Sequence, residues 1–97
     1  MTDWHAKLAS SAIPHYMHGA IVRWIEDGIP PGDFLTAILS NNLRGACERA
    51  DDTNRHFLFE YVFWFYNDAP SLCWGSSERV LAWRGTKVPV GAVEDES

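Results

Sequence analysis

Residues 57–66 set the problem that this chain has to solve. Seven of the ten are aromatic (Phe57, Phe59, Tyr61, Phe63, Trp64, Phe65 and Tyr66), and only Glu60 carries a charge. Aromatics suit a pleated strand. But the apolar positions run on almost without interruption, so the alternation of a half-buried strand is missing. Ten residues bounded by turn formers is also long for a strand in a chain that elsewhere reads as helical. As a helix, the segment keeps only His56, Glu60 and Asn67 as a polar sector, about 40° wide on the wheel. A helix that is apolar nearly all round belongs in the middle of a bundle or at a subunit interface. The fold expected is therefore an all-α bundle of four to five helices with helix 57–66 at its centre.

The flanking sequence supplies the other helices. Residues 1–12 read as an arm or short helix, with Thr2 or Asp3 as cap and Trp4 and Leu8 on one face. Pro14 suits a first helical turn, where its missing N–H costs nothing. Met17, Ala20, Ile21, Trp24 and Ile25 then form one apolar stripe up to Asp27. Gly28 suits a left-handed C-cap, Ile29 folds back on the last turn, and Pro30-Pro31 stops the helix. Asp33 starts the next one.

That next helix carries two stripes, Phe34, Leu35, Ile38 and Leu39, then Leu43, Ala46, Cys47 and Ala50. At 100° per residue the second is rotated by roughly 80° from the first. One straight helix cannot bury both on one partner, so a kink or break is expected at 40–42, with Asn41 or Asn42 as a cap. Residues 51–54 read as a turn with spare N-cap candidates. After Pro70 comes a short connector, and Ser76 or Ser77 caps a last helix running to Arg84. Val80, Leu81 and Trp83 face inward there, and Gly85 is its C-cap. The division is thus an arm at 1–12, a helical domain at 13–85 and a flexible acidic tail at 86–97.

Composition narrows the function classes. Ninety-seven residues allow a single core. A hydrophobic fraction of 46% is too high for a disordered chain. Eight basic against thirteen acidic residues, net −5, argue against direct nucleic-acid binding. The excess of acid reads as ordinary solubility charge rather than mimicry of nucleic acid. No apolar run is long enough to span a membrane, and the N-terminus lacks the features of an export signal. Cys47 and Cys73 are then expected to be reduced thiols packed as small apolar groups.

Two stretches, Ile29-Pro-Pro-Gly-Asp-Phe-Leu-Thr-Ala-Ile-Leu-Ser-Asn-Asn-Leu43 continuing through Ala50-Asp51, and Ala69-Pro-Ser-Leu-Cys-Trp-Gly-Ser76, occur together. In this order they resemble a family of small proteins encoded by tailed bacteriophages and prophages, over roughly residues 13–83. The resemblance implies a phage gene product acting in the cytoplasm of an infected or lysogenic bacterium. It carries over no catalytic residue, and it associates the chain with proteins that act on host defence or metabolism by origin alone.

The residues offer three candidate sites. His15 and His18 have a spacing seen in metal sites, but no further ligands follow in pattern, so they read as one solvated and one half-buried histidine without a metal. No nucleophile elbow, phosphate loop or dinucleotide glycine pattern is present, so neither an enzyme nor a cofactor is expected. Trp74, Gly75, Ser76, Ser77, Arg79 and Arg84 form a candidate ligand site, in which a helix start and two guanidinium groups would meet a nucleotide-like anion and Trp74 would stack on its base. Trp24, Phe63 and Trp64 are candidate interface residues, because a domain this small has more aromatic bulk than one core needs. Three functional readings follow. The first is a non-catalytic phage accessory protein that binds and inhibits a host protein, with a homodimer as a related option. The second is a nucleotide or nucleotide-signal sequestrant, and the third is a virion structural or assembly protein.

Overall fold

The structure, a computed structural model, describes residues 2–86, and these are helical throughout with no strand among them. The chain runs α1 (Trp4–Ala9), a 3-10 turn (His15–Met17), α2 (His18–Asp27), α3 (Asp33–Leu39), α4 (Leu43–Arg49), α5 (Asp52–His56), α6 (Leu58–Asp68), a second 3-10 turn (Ser71–Cys73) and α7 (Ser77–Ala82). The expected all-α bundle is present, built from seven short α-helices rather than four or five. No described helix is long and apolar enough to cross a membrane. The expected flexible tail lies, from residue 87 onward, outside the described residues.

Local chemistry accounts for most of the boundaries. Asp3 caps α1 by accepting from the Ala6 N–H at 3.1 Å. Pro14 precedes the 3-10 turn, so the α-helical hydrogen bonding of α2 starts only at His18. Gly28 ends α2 at φ +69°, with its N–H on the Trp24 carbonyl and the Ile29 N–H on that of Arg23. The Gly28–Trp24 bond is the 5→1 bond of a left-handed C-cap. The Ile29 side chain nonetheless stays half exposed.

The break at 40–42 is sharp. Asn41 takes a left-handed φ of +62°, and the Asn42 side chain caps α4 by accepting from the Gly45 N–H at 2.9 Å. Each apolar stripe can then choose its own direction, and α3 packs closely on α4. Residues 51–54 form not a bare turn but the start of a helix, because Asp51 accepts from the Asn54 N–H at 2.7 Å.

One core binds all the elements, with Trp4 and Leu8 of α1 buried in the same cluster as α2, α3 and α6. Trp24 of α2 lies at its centre, 2% exposed, and donates its indole N–H to the Cys73 carbonyl at 3.0 Å. Its own carbonyl accepts from the Trp83 indole at 2.9 Å. Tyr61 of α6 is fully buried against Phe34 and donates to Asn54 Oδ1 at 2.5 Å, which gives the buried amide oxygen of α5 its donor.

The C-terminal part departs from expectation. The last helix stops at Ala82, and Trp83 is already extended. Leu81, expected inward, is exposed, while Val80 and Trp83 are half buried. Residues 83–86 turn back along the end of α2, and the Thr86 N–H bonds to the Ile25 carbonyl at 2.8 Å. Gly85 is therefore not a helix cap. It has φ +97°, and a Cβ there would fall 2.8 Å from the Asp27 carbonyl carbon. Gly85→Ala is expected to cost about 2 kcal/mol or more, from the φ penalty together with the clash. Asn42→Ala should cost about 1 kcal/mol through the lost cap. Urea unfolding followed by far-ultraviolet circular dichroism measures both.

Candidate functional site

Helix α6 buries only one of its faces. Tyr61, Trp64 and Phe65 point into the core, whereas Phe59, Val62, Phe63 and Tyr66 lie on the opposite face and are exposed. Helix 57–66 is thus not enclosed on all sides, because the remaining elements are too few and too short to surround it. The four exposed residues sit at i, i+3, i+4 and i+7, which aligns them as a stripe along the helix. Phe59 is 70%, Phe63 54% and Tyr66 78% exposed, and the Phe59 and Phe63 rings stack at 5.6 Å. Val62 shares a shallow depression with exposed Leu43 of α4, which extends the apolar surface sideways. On the other edge, Phe63 walls a half-open groove of about 480 Å³ with Lys7, Ser10, Glu60, Trp64 and Asp68. The Trp64 indole N–H is buried beneath it without a hydrogen-bond partner.

Of the expected interface residues, only Phe63 reaches this surface. Trp24 and Trp64, 2% and 4% exposed, are core residues. Trp64 packs edge-on against both Trp4 and Phe65. Phe59, Val62 and Tyr66 were not singled out by sequence reasoning, and Leu43, expected to be buried with the stripe of α4, is exposed because that stripe turns only Ala46 and Ala50 inward. The heptad-like spacing of 59, 62, 63 and 66 was visible, but a segment apolar on every side does not say which stripe turns inward.

The loop at 74–79 is occupied by its own bonds. Gly75, at φ +111°, donates its N–H to the Leu39 carbonyl at 2.7 Å, which ties the loop to α3. The Ser76 hydroxyl caps α7 by accepting from the Arg79 N–H. The Arg79 guanidinium folds back to the Ser71 carbonyl at 3.0 Å and the Trp74 carbonyl at 3.4 Å. Trp74 is half buried and lies 5.9 Å from the Phe65 ring. Ser77 and Arg84 are exposed, and Arg84 bonds the Leu81 carbonyl at 3.4 Å, away from Arg79's partners. Four of the six candidate ligand residues, Trp74, Gly75, Ser76 and Arg79, thus take part in closing this loop, while Ser77 and Arg84 stand apart from it.

His15 is exposed. His18 is buried, more deeply than the expected half-burial, with Nε2 2.8 Å from the Ile13 carbonyl, and the two rings meet edge to face. Among the described residues no three histidine, cysteine or acidic side chains cluster as metal ligands do. The cysteines are both free thiols. Cys73 is buried as expected, and burial pushes its thiol up from 9.0 to about 12. Cys47 departs from expectation by lying at the surface of α4, because the α4 stripe buries Ala46 and Ala50 but rolls Cys47 outward.

Family models, curated proteins and solved structures show no significant match to this chain.

The two thiols should separate cleanly. A thiol reagent at pH 8 is expected to modify Cys47 in the folded protein and Cys73 only after denaturation. Because the folded-state value of Cys73 is raised, its neutral form stabilises the native state fully below pH 9. That contribution fades as pH climbs toward about 12. Tyr61, raised by burial as well, acts in the same direction. The urea midpoint should therefore fall on going from pH 8 to pH 11.

Proposed function

We propose that this chain is a non-catalytic accessory protein of a tailed phage or prophage that binds and inhibits a host protein in the bacterial cytoplasm. A host-defence component is the target class in view. One observation carries the binding half of this reading: the aromatic stripe of Phe59, Val62, Phe63 and Tyr66 has no partner within the described chain. Most small monomers keep contiguous exposed apolar patches to a few hundred Å², and a larger patch rimmed by polar groups marks a protein-interaction surface. Tyr and Phe also anchor interfaces well, because they bring large area at small entropic cost. The phage half rests on the resemblance of residues 13–83.

No comparable support exists for nucleotide capture at 74–79. Arg79 and the Ser76 hydroxyl are already engaged within the loop, so a ligand would have to break those bonds before gaining its own.

The test is affinity capture from host lysate with the full chain, comparing wild type with Phe63→Glu and Arg79→Ala. A stoichiometric host protein should be retained by wild type and by Arg79→Ala. Phe63→Glu should lose it by 30-fold or more in affinity, about 2 kcal/mol at a central aromatic anchor. Equal retention by Phe63→Glu, with its circular dichroism unchanged, would remove the α6 face from the reading. A shift in melting temperature on adding nucleotides, abolished by Arg79→Ala, would transfer the function to the loop.

A further inference from the structure

We infer that in the free protein a second copy of the chain covers the α6 stripe, with the two α6 helices antiparallel across a two-fold axis. This rests on reading the α6 face as a protein-docking surface, and it names the occupant when no host protein is present.

The spacing of the stripe is its own mirror image. Residues 59, 62, 63 and 66 are symmetric about the midpoint between Val62 and Phe63. An antiparallel two-fold there sets Phe59 of one copy opposite Tyr66 of the other, and Val62 opposite Phe63. Every exposed stripe residue meets another stripe residue, and none of the four is an acidic or basic residue. A two-fold contact uses the same patch on both copies, so a patch that complements itself is what it requires. Antiparallel helices also set opposite dipole ends side by side.

Area and charge agree with this arrangement. The exposed parts of Phe59, Val62, Phe63, Tyr66 and Leu43 amount to roughly 500–600 Å² per copy, so the pair would bury on the order of 1,000–1,200 Å². That lies at the small end of specific interfaces, which fits a dimer that another partner can displace. A two-fold axis lying across the helices keeps each flank of the stripe facing the same flank of the other copy. The groove flank carries both signs, Lys7 with Glu60 and Asp68, and the opposite flank carries the exposed pair Arg44–Glu48. Neither contact therefore sets a single charge sign against itself. A host protein and a second copy would compete for one face, and binding the former would dissociate the latter.

Sedimentation equilibrium of the full chain from 1 to 500 µM tests the dimer. Wild type should approach twice the chain mass of 11.0 kDa with rising concentration. Phe63→Glu should stay at the single mass at every concentration, with unchanged circular dichroism and urea midpoint. A wild type that remains single at 500 µM overturns the inference. The same preparation's capture of a host protein, and its loss in Phe63→Glu, reports separately on the docking reading. Geometry is tested by oxidative cross-linking in a Cys47→Ser background. Val62→Cys, next to the axis, should link to itself at least tenfold faster than Leu81→Cys, which is exposed on α7. Phe59→Cys mixed with Tyr66→Cys should give mainly the mixed dimer. Equal rates at 62 and 81, or self-linking of Phe59→Cys as fast as the mixture, would overturn the antiparallel pairing.

Discussion

The architecture depends on the burial of Trp24. Its ring fills the centre of the core from α2, and its polar atoms hold the two segments that sequence places farthest away. The indole N–H takes the Cys73 carbonyl at the second 3-10 turn, while the backbone carbonyl takes the Trp83 indole. The Trp24 indole finds its acceptor 49 positions downstream. Its carbonyl, which already accepts the Gly28 N–H, takes the Trp83 indole as a second donor. These bonds act together with the Arg79 contacts to the Ser71 and Trp74 carbonyls and the Thr86–Ile25 bond to hold the connector at 71–74 and the strap at 83–86, neither of which belongs to a long helix.

The shortness of the elements follows from the same economy. α2 and α6, the longest of the described helices, reach only 10 and 11 residues, so none of the described helices is stable by itself. Stability comes from shared burial, and caps at Asp3, Asn42, Asp51 and Ser76 satisfy helix-start N–H groups that packing alone would leave open. A small domain with this many aromatics faces a surface-to-volume limit. It can enclose Trp4, Trp24, Trp64, Tyr61 and Phe65, and the remaining aromatic face of α6 is left outside. The candidate docking surface is therefore what remains after the core is full.

Helical class, the left-handed C-cap at Gly28, the break at 40–42 and the cap at Asn42 were all legible in the sequence. Each depends on residues within a few positions of one another, so local stereochemistry suffices. The end of α7 was misread for the complementary reason. Gly85 looks like a helix cap to a local reading, but its positive φ serves a close approach to the backbone of α2, a contact between residues almost sixty positions apart. The bonding of the 74–79 loop is likewise a long-range matter. Arg79 looks free in the sequence, and only the fold shows that the Ser71 and Trp74 carbonyls are its partners.

By itself, then, the sequence determined that the chain is helical, where its helices begin and break, and that residues 57–66 carry more apolar surface than one helix face can hide. Those properties follow from side-chain periodicity and capping, which act over one or two turns. Only the tertiary structure decided which face of that helix is hidden. Tyr61, Trp64 and Phe65 compete with Phe59, Phe63 and Tyr66 on nearly equal hydrophobic terms. The choice is made by long-range contacts, the Asn54 amide that receives the Tyr61 hydroxyl and the Trp4 and Phe34 rings that meet Trp64 and Tyr61.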